Sequence, residues 1–192
     1  MGGRVPQGQT GLELMEIPDF IIHYNRSEPF RSMSGLSNEQ LSKVIHELDE
    51  TNVWGFNRFS DPEYLKRRKV VEERLRKEFI SKGGRPLLAH PIYFFLGRNA
   101  DFERHERNKP YLVRLRDLPK GSVSFTYGDS MFSFNEDYRS LKSHAYQSEL
   151  CPYVYMLEEL PKIFSHKDFC SSAHLHIEAQ LWIRPSKCEQ WL

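Results

Sequence analysis

The residues best suited to chemistry lie in one segment near the C-terminal end of the chain, residues 174–183. Successive side chains of a β-strand point to opposite faces of a sheet. One face of a strand here would carry Leu175, Ile177, Ala179, Leu181 and Ile183. The other face would carry His174, His176, Glu178, Gln180 and Trp182. If this polar row faces a cleft, Glu178 is a candidate catalytic carboxylate, and Gln180 beside it is a second candidate catalytic residue. If the row faces bulk water, it is the ordinary polar side of a half-exposed strand.

The same row allows a metal site as an alternative. His174, His176 and Glu178 alternate on one face, and imidazole and carboxylate groups are common ligands of divalent metals. A distant His23, His90 or His144 could complete the site. The sequence therefore leaves open a β-rich metal enzyme that uses this HxHxE strand.

A second concentration of polar groups is SFTYGDSM, residues 124–131. Ser124, Thr126 and Asp129 supply short hydrogen-bonding groups, Tyr127 supplies a stacking surface, and Gly128 is suited to a turn. Three hydroxyl or carboxyl groups and a tyrosine so close to an apolar strand favour a binding site, although turn chemistry alone accounts for Gly128 and Asp129.

The end of the first predicted strand is a third candidate region. His23 and Tyr24 close an apolar run, and the polar segment that follows includes Arg31 and Ser32. Loops just beyond strand ends are frequent ligand-binding positions. The alternatives are a structural role for His23 and an Arg–Glu pair that only pins the loop.

Five strings carry a resemblance to known proteins: HYNRSEPFRS, NRFSDPEYLKRR, HPIYFFLGRN, SFTYGDSM and HIEAQLW. Together they resemble a family of conserved, uncharacterised bacterial proteins over most of the chain. More distantly, the layout is similar to ADP-ribosyltransferases of the H-Y-E kind and to DarT-like enzymes. In those enzymes an early strand ends in His, central positions carry Tyr or Ser, and a late strand carries Glu.

This resemblance implies an enzyme that binds NAD and transfers ADP-ribose to an acceptor. It places His23 against the adenosine ribose, Tyr127 or Tyr93 against the nicotinamide, and Glu178 against the nicotinamide ribose. The carboxylate would then stabilise positive charge as the glycosidic bond breaks, and Gln180 would orient the acceptor. The other implied cofactor-binding residues are Tyr24, Arg31, Ser32 and Ser124.

The sequence predicts that these residues are held by a single α+β domain over residues 15–192, which follows a flexible tail at 1–14. Strands are predicted at residues 17–24, 91–97, 111–115, 123–127, 153–156 and 175–183. Two main helices follow the first strand: one over 38–48, begun by a capping box of Ser37 and Gln40, and one that begins with Asp61 and Pro62 and ends near Lys82. A short helix is predicted at 157–164. The order favours a mostly antiparallel or mixed sheet.

The second helix has an apolar stripe that includes Arg68, and a charged face, Glu72 among it, that is expected to lie in solvent. The net charge of the chain is +1, from 27 Lys and Arg against 26 Asp and Glu, which gives no global field for nucleic acid. A small nucleotide is the expected partner.

Three cysteines without CxxC spacing and the lack of an apolar span predict a cytoplasmic protein. A non-catalytic interaction protein is the remaining alternative, with an apolar recognition surface built from aromatic residues. Its candidate members are Trp54, Phe56, Phe59 and Trp182.

Overall fold

The computed structural model describes residues 16–25, 29–49, 61–104, 109–136, 144–171 and 176–190. Seven strands form one sheet of order β5-β4-β6-β2-β1-β3-β7, in which neighbouring strands pair antiparallel. The strands are β1 (Phe20–Asn25), β2 (Ile92–Leu96), β3 (Lys109–Arg114), β4 (Val123–Tyr127), β5 (Val154–Tyr155), β6 (Ile177–Leu181) and β7 (Glu189–Gln190).

Two long helices lie between β1 and β2 in the chain: α1 (Asn38–Asp49) and α2 (Pro62–Ser81). The helix α1 begins with the predicted capping box, because the backbone N–H of Gln40 donates to the Ser37 hydroxyl and the Gln40 side chain accepts from the Ser37 N–H. The Asp61 carboxylate caps α2 by accepting from the Glu63 N–H at 2.9 Å. The shorter helices in the described residues are α3 (Ala100–Glu103), α4 (Ser130–Ser133), α5 (Leu160–Phe164) and α6 (Lys167–Ser171).

The strand register decides which side chains share a face. Phe95 on β2 and Thr126 on β4 both lie opposite Glu178, and Tyr93 and Ser124 both lie opposite Gln180. Residues directly opposite each other in an antiparallel pair point to the same side. We call the side with Glu178 and Gln180 the helix face, because α2 packs over it.

Two apolar cores lie on the two sides of the sheet. On the helix face, Phe79 of α2 stacks on Trp182 with ring centroids 5.7 Å apart. The opposite face buries Phe94, Phe125 and Ala179 under the chain that follows β4, including Leu160. Burial of both faces explains why the central strands carry few exposed side chains.

The structure confirms the predicted fold class: an α+β fold with an antiparallel sheet and two main helices inserted after the first strand. The first strand begins at Phe20 instead of residue 17, in keeping with Pro18, which has no N–H for a ladder. Residues 1–14, predicted to be a tail, lie outside the described residues. In the described part of the chain, every helix is too short or too polar to cross a membrane.

Candidate active site

One oxygen of the Glu178 carboxylate accepts hydrogen bonds that fix the group, and the other oxygen accepts none from the described residues. Its Oε1 accepts from the backbone N–H of Ser130 at 3.3 Å and from Nε2 of Gln180 at 3.0 Å. Among the described residues, no donor reaches Oε2. The residue as a whole is partly exposed, and this oxygen does not belong to the fully buried polar atoms that lack a partner, so a ligand can reach it.

The surroundings of Glu178 raise the pKa of its carboxyl to about 7. Burial is the main cause, and the negative charge of Asp129 adds to it. The hydrogen bonds from Ser130 and Gln180 and the charge of Arg68 oppose this shift. The carboxyl therefore exists in both protonation states near neutral pH, as a group that takes up and returns a proton must.

A chain of hydrogen bonds runs from Trp182 through Ser124 and Gln180 to Glu178 and fixes its carboxylate. The indole Nε1 of Trp182 donates to the Ser124 hydroxyl, which donates to Oε1 of Gln180, each at 2.9 Å. Nε2 of Gln180 then donates to the Thr126 hydroxyl and to Glu178. Gln180 is fully buried and both its N–H groups are used. Contrary to expectation, Gln180 and Ser124 therefore position Glu178 and do not face an acceptor or a cofactor.

Two residues beside Glu178 extend the candidate site. The Asp129 carboxylate accepts from the Met131 N–H at 2.8 Å and so caps α4. The Ser130 hydroxyl is fully buried and has no hydrogen-bond partner among the described residues. The richness of SFTYGDSM in polar groups predicted a site here, but the lone hydroxyl of Ser130 is visible only in the folded chain.

An aromatic platform, formed by Tyr24, Phe95 and Phe102, adjoins the carboxylate on the helix face. The rings of Phe95 and Phe102 are 4.7 Å apart, and both lie within 5.8 Å of the Tyr24 ring. The His176 imidazole meets Phe95 edge-on at 4.7 Å. Phe102 is 42% exposed, so that the platform offers a surface on which a planar ring can stack.

Tyr24 is fixed at the edge of this platform. Its hydroxyl donates to Oε1 of Glu103 at 2.9 Å and accepts from the Asn99 N–H at 3.0 Å. Glu103 is held in turn by a two-pronged ion pair with Arg98. The Tyr24 hydroxyl is therefore already bonded within the protein, and only the ring of Tyr24 is available for the predicted cofactor binding.

The structure does not bring His23 to Glu178, because the two side chains lie on opposite faces of the sheet. His23 lies among Phe94 and Phe30 in the opposite core. Its Nδ1 donates to the Tyr93 carbonyl at 2.7 Å and its Nε2 accepts from the Phe30 N–H at 3.3 Å. Burial lowers the pKa of this imidazole. His23 is thus a neutral structural residue and not the expected partner of the adenosine ribose.

The two tyrosines predicted to contact nicotinamide, Tyr127 and Tyr93, lie on opposite faces of the sheet. Tyr127 points to the opposite face, where its hydroxyl donates to the Asp168 carbonyl at 3.4 Å and its ring packs edge-on against Phe169. Tyr93 lies on the helix face with its hydroxyl on Glu72. Only Tyr93 therefore shares a face with Glu178.

Arg31 and Ser32 lie just before a single 3-10 turn, Met33–Gly35. Arg31 is exposed, and the Ser32 hydroxyl is buried without a partner among the described residues. The next serine, Ser34, bonds to Glu72 of α2 at 2.9 Å. This segment is therefore anchored beside α2.

The metal alternative involves residues that are only partly described. His174 and the side chain of His144 lie outside the described residues, and His23 is on the opposite face. Within the described residues, no group of three or more His, Cys, Asp and Glu side chains is arranged to hold a metal ion. His90 instead bonds to Glu72 at 2.7 Å.

The proposed aromatic recognition surface is not supported by its one described member. Trp182 is fully buried in the core under α2. Trp54, Phe56 and Phe59 lie outside the described residues.

One charged residue was placed wrongly by its pattern. Glu72, expected in solvent, is 1% exposed and pairs with Arg68 at 3.1 Å. The signal for this was present: Arg68 interrupts the apolar stripe of α2, and Glu72 follows it at the i,i+4 spacing of neighbours on one helix face.

Comparison of the chain with protein-family models, with curated proteins and with solved structures finds no match. The similarity to ADP-ribosyltransferases therefore stays a prediction from the sequence.

Proposed function

We propose that this chain is an ADP-ribosyltransferase-like enzyme that consumes NAD, with Glu178 as the catalytic carboxylate. The observation that carries the proposal is the asymmetry of that carboxylate: Oε1 is held by two N–H donors, whereas Oε2 accepts from no donor among the described residues. Phe95 of the aromatic platform lies opposite Glu178 on the same face of the sheet. His176 takes the place that the resemblance gave to His23, since its side chain lies on the same face as Glu178.

The chemistry needs a negative charge where positive charge develops. As the bond between the ribose and nicotinamide breaks, its electron pair leaves with nicotinamide and the ribose carbon becomes cationic. A preorganised carboxylate in a partly desolvated site stabilises that charge more strongly than water does. An acceptor oxygen, of water or of another molecule, then bonds to the ribose carbon and passes its proton to the Glu178 carboxylate, whose pKa of about 7 lets it take up and release a proton.

The platform supports a dinucleotide as the substrate. NAD carries two planar heterocycles, and a partly exposed phenylalanine pair can stack one of them. Phe95 contacts Tyr24, Phe102 and His176, and it lies opposite Glu178 in the pairing of β2 with β6. The residue set thus offers ring recognition and charge stabilisation side by side.

The test is release of nicotinamide from NAD by wild type and by Glu178→Gln, followed by chromatography. Glutamine keeps the shape and loses the charge, so we expect a rate at least about 100-fold lower. Glu158→Gln, at an exposed carboxylate, is the matched control and should keep the wild-type rate. Equal rates for wild type and Glu178→Gln would overturn the proposal.

A further inference from the structure

An ion pair lies buried between α2 and the sheet, close to the candidate site. Nε of Arg68 donates to Oε1 of Glu72 at 3.1 Å, and the two side chains are 11% and 1% exposed. The Arg68 guanidinium lies over the ring of Tyr93, 4.4 Å from its centroid, and also reaches the Tyr64 hydroxyl at 3.4 Å.

Glu72 is the hub of this cluster. Besides Arg68, its carboxylate accepts from the hydroxyls of Ser34 at 2.9 Å and Tyr93 at 3.1 Å, and it bonds to Nδ1 of His90 at 2.7 Å. These partners lie on the 3-10 turn after β1, on β2 and just before β2. One carboxylate on α2 therefore joins the helix to β2, the central strand of the sheet, which carries Tyr93.

A buried ion pair is not in itself evidence of a stabilising role. Removing two charges from water costs several kcal/mol, and apolar residues of similar size often replace such pairs without loss. The cluster lies beside Tyr93, Gln180 and Glu178, and from there its charges can affect the Glu178 carboxylate. Tyr93 lies opposite Gln180, and Gln180 donates to Glu178.

We infer that Arg68 and Glu72 are positioning residues for Glu178: Arg68 places a buried positive charge over Tyr93, on the face of the sheet that carries Glu178, and Glu72 holds Arg68 and Tyr93 in place. The catalytic consequence of this inference rests on the proposed function, but the effect on Glu178 does not.

The charges around Glu178 agree with this role. Arg68 lowers the pKa of Glu178 and Asp129 raises it. Because Glu72 neutralises Arg68 directly, removal of the Glu72 charge should increase the influence of Arg68 on Glu178. Among the described residues, the titratable and charged groups near Glu178 are Asp129 in the turn after β4, Tyr146 in the turn at 144–147, His176 just before β6, Tyr93 on β2, and Arg68 on α2, which pairs with Glu72.

The experiment is an NMR titration of the carboxyl carbons in full-length, glutamate-labelled protein, with the Glu178 signal assigned by its loss in Glu178→Gln. Glu72→Gln keeps the acceptor oxygen and removes the negative charge that pairs with Arg68, so the Glu178 midpoint should fall by roughly half a pH unit or more. Adding Arg68→Met removes the positive charge, and the midpoint of this double variant should lie above that of Glu72→Gln. Lys66→Met with Glu73→Gln removes an exposed charge of each sign from α2 and should leave the midpoint unchanged.

Cooperative thermal unfolding of each variant shows that it is folded. Equal Glu178 midpoints in wild type, Glu72→Gln and the double variant would overturn the inference. So would a midpoint in the double variant at or below that of Glu72→Gln. If wild type releases no nicotinamide from NAD, the proposed function fails and the titration still decides the roles of Arg68 and Glu72.

Discussion

The backbone N–H of Ser130 donates to Oε1 of Glu178 at 3.3 Å, while the hydroxyl of the same serine is buried without a partner among the described residues. The polar atoms around it are nearly all paired. An unpaired buried hydroxyl costs about 1–3 kcal/mol, so the Ser130 hydroxyl does not stabilise the free protein.

Ser130→Ala should therefore leave the free energy of unfolding unchanged or raise it by about 1 kcal/mol. Ser124→Ala, which removes a hydroxyl bonded to both Gln180 and Trp182, should instead lower the free energy of unfolding by about 1–3 kcal/mol. Denaturant unfolding of the two variants measures both effects. A clear loss of stability in Ser130→Ala would show that its hydroxyl is already satisfied in the free protein.

NAD turnover should rise with pH through a midpoint near 7, because the reaction needs the ionised form of Glu178 and the pKa of that carboxyl is raised to about 7. Asp129→Asn removes the nearby negative charge and should move this midpoint to lower pH, since Asp129 raises the pKa. Rates of nicotinamide release measured from about pH 5 to about pH 9 check both statements. A flat profile, or a midpoint that Asp129→Asn leaves in place, would contradict them.

The same raised pKa has a consequence for stability. The folded state holds Glu178 protonated where the unfolded chain is already ionised, so this group stabilises the fold below its ordinary pKa of 4.5. That contribution is lost as the pH rises from about 4.5 to about 7. Glu178→Gln should remove this part of the pH dependence, as measured by denaturant unfolding at several pH values, and an identical dependence in both proteins would refute the assignment.

His23 should matter for stability and not for NAD turnover. His23→Leu leaves the Tyr93 carbonyl and the Phe30 N–H without their partner, at a cost of about 2–4 kcal/mol in the free energy of unfolding. Rates per folded molecule should stay within about twofold of wild type, whereas His176→Leu should reduce them at least about tenfold. Loss of turnover in folded His23→Leu would restore the H-Y-E assignment of this residue.

Because burial lowers the pKa of His23, folding keeps its imidazole neutral. The stability that it contributes is therefore lost as the pH falls through the ordinary value of 6.5, where the unfolded chain binds the proton. His23→Leu should lose less stability than wild type between about pH 8 and about pH 5.

NAD should raise the thermal midpoint of wild type, since a ligand that binds only the folded state stabilises it by mass action. Phe102→Ala should reduce this rise by weakening ring stacking, by about 1 kcal/mol of binding free energy. Leu87→Ala removes another exposed apolar side chain and should leave the rise intact. An equal rise in Phe102→Ala would exclude the platform from NAD binding.

Local patterns predicted the elements well where the cause is local. The caps Asp61 and Ser37 and the alternation along β6 follow from hydrogen bonds and dihedrals within a few residues. For this reason the sequence placed His176, Glu178 and Gln180 on one polar row. The apolar stripe of α2 was also predicted, because helical spacing is fixed.

Other features depended on which strands become neighbours. Alternation within β1 says that His23 and Tyr24 face opposite ways, but only the β1–β2–β6 register shows that Tyr24, and not His23, shares the face of Glu178. Likewise, a charged residue on a helix is buried or exposed according to what packs over it, and Tyr93, Ser34 and His90 meet Glu72 from distant parts of the chain.

By itself, then, the sequence determined the fold class, the two main helices and the polar row of β6, since propensity, capping and periodicity act over short distances. The tertiary structure decided the composition of the site. Among the described residues, no donor reaches Oε2 of Glu178, and Gln180 and His23 make structural hydrogen bonds. Arg68 and Glu72 are buried beside the polar row. These outcomes depend on the tertiary structure because pairing and burial are set by contacts between residues far apart in the chain.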